Sequence, residues 1–108
     1  MTRKSIYQST KRWLRRNYPL PFACRVLTRD PSRMTGMHGQ FIWHGEHATI
    51  WVRAVANEEQ MAETLIEEWV HGMRHAAPLE VDYEGEAHDA TFWALYGAVV
   101  TRWRKELL

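Results

Sequence analysis

The sequence predicts a single α+β domain, and three observations carry that expectation. Ala48 to Val55 alternates with period two, as a strand does, behind a second apolar run at Gln40 to Trp43. Residues 57–75 carry an apolar stripe at helical spacing, and a second long helical stretch covers 88–107. The 108 residues show no internal repeat, and their length suits one modest core.

Taken in chain order, Ser5 to Asn17 reads as an amphipathic helix within the basic stretch 1–17. Ile6, Thr10, Trp13, Leu14 and Asn17 share a side, while Lys11, Arg12, Arg15 and Arg16 face water. Tyr18-Pro19-Leu20-Pro21 ends it, because proline cannot continue a helix and drives the residue before it toward extended geometry. Strands are expected within 22–55: Phe22 to Thr28 first, then a loop from Arg29 to Gly39 punctuated by Pro31 and Gly36. Gln40 to Trp43 and Ala48 to Val55 follow as a hairpin around His44-Gly45-Glu46-His47. Asn57 caps the next helix, with Gln60 three positions on, and Pro78 forbids continuation much beyond His75. Leu79 to Ala87 is an acidic loop, and His88 to Leu107 closes the domain as a helix.

Composition excludes several classes. Hydrophobic residues make up 45% and charged residues 25%, which argues against disorder. The single cysteine, Cys24, rules out an intramolecular disulfide, so a reducing cytoplasm is the expected setting and the thiol an inert buried group. No apolar run approaches the ~20 residues of a membrane span, and the basic N-terminus lacks a signal-peptide core, so no membrane association is expected. The net charge of +1 conceals an asymmetry: residues 1–33 hold nine basic groups and one acid, residues 57–89 ten acids and one base, Arg74. Two solvated faces account for that split. A DNA contact through the basic N-terminal region is the sharper alternative, with Trp13 either stacking on a base or lying in the core.

The chemistry concentrates in ETLIEEWVHGMRH, Glu63 to His75. On a helical wheel Met61, Ala62, Leu65, Ile66, Trp69, Val70 and Met73 form the expected buried arc. Glu63, Thr64, Glu67, Glu68, His71, Arg74 and His75 form the other. Glu67 and His71 stand four apart and can converge on one ion, with Glu68 able to reach a water held there. Zinc hydrolases exploit this spacing as H-E-x-x-H, where two ligands hold the ion and the glutamate takes a proton from its water. A third ligand must come from elsewhere. His88, seventeen residues beyond His71, leads, with Phe92, Trp93 and Tyr96 packing below it.

ETLIEEWVHGM followed by EGEAHDATFWALYG resembles the SprT-like zincin metallopeptidases, including small phage-borne members, over roughly residues 40–105. The resemblance implies a minimal zincin-like domain: a small, mostly antiparallel sheet on an active-site-type helix, with a later helix supplying His88. It implies a Zn2+ cofactor, hydrolysis of a protein or peptide substrate, Glu68 as general base, and His71 and His88 as second and third ligands. It also implies that an extended substrate pairs with the strand Ile50-Trp51-Val52-Arg53. Glu67 stands where the family has its first histidine.

That departure leaves three alternatives. Glu67 binds the metal through carboxylate oxygen, making it a weaker Lewis acid. The site is degenerate and the fold serves as a binding module. Or the ligands shift to His71 and His75, with Gly72 in the base position and no base chemistry. Glu67, Glu68, His71 and His75 also read simply as a solvated helix face, and His38, His44 and His47 as solvated loop residues. Tyr83 is a candidate donor to an oxyanion, though its spacing does not demand it. Nothing in the sequence sets an oligomeric state.

Overall fold

The computed structural model describes residues 5–76 and 88–108. The acidic loop 79–87, with Tyr83, lies outside the described residues. Helix α1 (Ile6–Asn17) leads into strand β1 (Cys24–Arg29) and a 3-10 turn (Pro31–Arg33). Strands β2 (Gly39–Trp43) and β3 (Ala48–Arg53) follow, then helices α2 (Glu58–Ala76) and α3 (Ala90–Leu107). The expected hairpin is present. Gly45 takes φ 99°, a conformation costly for any residue with a Cβ, and the His44 N–H donates to the His47 carbonyl at 2.8 Å.

The sheet corrects one expectation. Its order is β1-β3-β2, with β3 antiparallel to β2 but parallel to β1, so it is mixed rather than mostly antiparallel. Successive strands reverse direction, so β1 and β3 run the same way. The hairpin places β3 between its neighbours and leaves only its outer edge for β1. The connection from β1 to β2 passes the end of β3, where the Arg53 N–H donates to the His38 carbonyl and the Ala54 N–H to the Arg29 carbonyl.

Helix α2 packs on one face of the sheet, over the buried Ala48, Ile50 and Val52, and α1 and α3 pack against α2. The apolar arc read from the sequence is the arc that is buried, with Met73 half-buried at its margin. Trp69 and Trp103 are the largest fully buried side chains. Their indoles are satisfied: Trp69 Nε1 donates to the Tyr18 carbonyl and Trp103 Nε1 to Thr10 Oγ1, each at 2.8 Å. Thr10 in turn donates to the Ile6 carbonyl at 2.7 Å. Trp13 belongs to this core, its Nε1 donating to Glu106, and Cys24 is buried as expected. Among the described residues no helix is long and apolar enough to cross a membrane.

Candidate functional site

Helix α2 and the N-terminus of α3 build the site, and one ion pair sets how they meet. Asp89 caps α3: its Oδ1 accepts the Phe92 N–H at 2.8 Å. Its Oδ2 accepts from Arg74 at 2.9 Å, with both side chains about nine-tenths buried. Burial alone would raise the Asp89 carboxyl, but the Phe92 N–H and the Arg74 guanidinium outweigh it and hold it below the usual range. Arg74 stands three positions after His71, one turn along the same face of α2. Latching Asp89 to Arg74 therefore delivers its neighbour, His88, to His71. α3 begins at Ala90 rather than at His88, which sits in the turn just before it.

The two imidazoles meet, Nε2 to Nε2, at 2.9 Å. At that distance one ring donates its N–H to the lone pair of the other. Phe92 lies under both, stacked on His71 with ring centres 4.5 Å apart and 4.7 Å from His88, and Trp93 borders His88 at 5.4 Å. Burial, the nearby His88 and the Arg74 charge lower the His71 pKa to about 4. At neutral pH His71 is thus uncharged, the form in which a histidine binds a metal. Glu67 is half-buried, with Oε1 3.8 Å from His88 Nε2.

Glu68 does not lie on a solvated helix face, the plainer of the two readings of this stretch. It is 7% exposed, and burial followed by the Glu67 charge pushes its pKa up to about 7. The cause of this burial is β2. Gly39 passes so close that a Cβ there would lie 2.9 Å from Glu68 Cγ, 3.0 Å from its Oε2 and 2.7 Å from Thr64 Cγ2. Only glycine admits that approach. From Gly39 the strand continues along α2, Phe41 meeting Gly72 and Trp43 meeting His75. Four strand residues and some nine helical residues each advance about 13 Å, so the two stay in step.

Tetrahedral zinc with Zn–N near 2.0–2.1 Å sets its donors about 3.3 Å apart. The His71–His88 separation is shorter than this and the His88–Glu67 separation longer. Among the described residues no group of three or more His, Cys, Asp or Glu side chains stands so that it could hold a metal ion. The donor types suit zinc, and the two histidine donors are already adjacent.

His75 lies apart, with ring contacts to Phe22, Phe41 and Trp43. It does not share the His71–His88 contact. His38, His44 and His47 are exposed, with His44 stacked on His47 and bonded to Thr49 Oγ1. The substrate strand inferred from the resemblance is also corrected. β3, which carries Trp51, is bonded on both sides, and among the described residues the edge left unpaired beside Glu68 belongs to β2.

No protein-family model matches this chain, and no curated protein or solved structure matches it either. The SprT-like likeness thus stands on the two sequence motifs.

Proposed function

We propose that this chain is a zincin-like metallopeptidase domain in which Glu67, His71 and His88 would hold a zinc ion. The supporting observation is the 2.9 Å meeting of two histidine nitrogens from residues seventeen positions apart. Zinc, when bound, would polarise a scissile carbonyl and ease deprotonation of water. His71 and His88 offer the imidazole donors, with Phe92 fixing the planes of both rings. Glu68, packed against Gly39, would accept a proton from water and return it to the leaving amine. The edge of β2, unpaired among the described residues, would add an extended peptide as a further strand, leading its backbone past Glu68. The substrate class is accordingly a protein or peptide.

A second reading, a non-catalytic binding module on the same scaffold, is favoured by the carboxylate at position 67. A carboxylate adds negative charge to the ion and weakens it as a Lewis acid. Zinc content separates the readings from the solvated-face alternative. Protein purified without chelators and equilibrated with micromolar zinc should carry close to one zinc per chain, and His88→Ala should lose it. A zinc-free parent chain would end the metal proposal. If zinc binds, Glu68→Gln abolishing peptide hydrolysis supports the enzyme. A zinc-loaded chain without turnover, converted to a peptidase by Glu67→His, supports the module.

A further inference from the structure

Among the described residues, one face of the sheet is covered by no α-helix. α2 occupies the side carrying Ala48, Ile50 and Val52. Strand alternation sends Arg25, Leu27, Arg29, Ile42, Trp51 and Arg53 to the other. Leu27, Ile42 and Trp51 stay outside the core cluster and partly open. None of the three strands contains Asp or Glu. No ion pair among the described residues involves Arg25, Arg29 or Arg53.

Two details make this more than a solvated surface. Arg29 and Arg53 are register partners on neighbouring strands, an arrangement in which like charges repel and destabilise the sheet. Arg53 Nε is moreover buried without an acceptor. Arg29 lies over Trp51, its guanidinium carbon 3.7 Å from the ring centre. That stacking fixes the guanidinium plane and leaves its in-plane N–H donors unused. Arg25 stands four residues before Arg29, about 13 Å along the strand, with Leu27 and Trp51 between the two cationic ends. Unbalanced cations flanking a flat aromatic strip match a ligand that alternates phosphates with planar rings.

We propose that this face binds single-stranded nucleic acid, with the N–H edges of Arg25, Arg29 and Arg53 on phosphates and a base laid on the Arg29 guanidinium that Trp51 backs. An acidic peptide would answer the charges but lay no planar ring on the outer face of the Arg29 guanidinium. The site is separate from the histidine pair and does not depend on the reading of that pair. It also differs from the basic surface of α1, which packs on α2 and α3.

The test is fluorescence anisotropy on the full chain with a labelled oligothymidylate of about twelve nucleotides, alongside polyglutamate of equal charge. The Arg25→Gln/Arg29→Gln variant should bind the oligonucleotide at least about tenfold more weakly, its log K against log salt slope shallower by about 1.4. Trp51→Ala should weaken it roughly five- to hundredfold and Trp51→Phe far less, with polyglutamate binding indifferent to both. The α1 variant Arg12→Gln/Arg16→Gln should bind like the parent. Thermal melts identify any variant that fails to fold, and Trp51→Phe and Arg29→Lys then carry the comparison. Three results would each overturn the proposal: no oligonucleotide binding at low salt, loss confined to the α1 variant, or equal polyglutamate affinity with no dependence on residue 51.

Discussion

Replacing Glu68 by glutamine probes the buried carboxyl through stability, without requiring turnover. In the metal-free protein burial and Glu67 hold its pKa up at about 7. Between the ordinary carboxyl value and that one, the folded chain keeps a proton that the unfolded chain has released. Stability from this group is therefore full in acid and falls as pH rises toward 7. At about 1.36 kcal/mol per pKa unit, the fall from about pH 5 to pH 8 is roughly 2–3 kcal/mol. His71 opposes it. Its pKa is depressed to about 4 by burial, His88 and Arg74, so its contribution is present at neutral pH and lost as pH drops below the usual histidine range. Because that ring is partly open to solvent, roughly 1–2 kcal/mol is a reasonable size. The ionisable groups beside the pair on α2 and the α3 turn are Glu67, Arg74, His88 and Asp89.

In the parent chain the two slopes partly cancel. Glu68→Gln removes one of them. Urea unfolding in EDTA at about pH 5, 6, 7 and 8 should show the variant gaining stability up to neutrality and then holding level. The parent should show a shallow decline. The two profiles should diverge by about 2–3 kcal/mol across the range. Profiles that run parallel would refute the burial of Glu68 and its coupling to Glu67.

Four further outcomes are expected. Gly39→Ala should cost about 1–3 kcal/mol by overpacking against Thr64 and Glu68, and should bring the Glu68 pKa back toward ordinary values, read by carboxyl NMR titration. Thr10→Val should lower stability by about 1–3 kcal/mol in chemical denaturation, because Trp103 Nε1 loses its buried acceptor; Thr10→Ser should not. Arg74→Gln should weaken zinc binding about 10–100-fold by calorimetry, since it frees the turn that carries His88. Zinc affinity of the parent should fall in acid, because protons compete with the ion for the imidazole nitrogens of His71 and His88.

Much of the fold was legible in the sequence because local chemistry decides it. The hairpin, the cap at Asn57, the buried arc of α2 and the break at Pro19 and Pro21 depend on neighbours a few residues away. Strand order was not, since nothing in the spacing of residues 22–55 says which strand is central. The site divides the same way. Glu67 and His71 share a helix face by periodicity alone, and His88 was recoverable from its segment. The burial of Glu68 was hidden, because it follows from a glycine on a strand twenty-nine positions earlier. The Arg74–Asp89 latch left two signals: a lone base in an acidic stretch, and an Asp three residues before Phe92. The outer sheet face left only single arginines scattered over two strands, without a local motif.

The placing of β3 has a consequence for assembly. β1 is made first yet has no sequence-adjacent partner, because the strand it must join is synthesised last and arrives already paired with β2. Closure at Gly45 should therefore come early, and β1 should wait for the completed hairpin to offer its free side. Pulse-labelled amide exchange during refolding should find the amides shared by β2 and β3 protected ahead of those linking β1. Simultaneous protection would mean that the three strands condense as one.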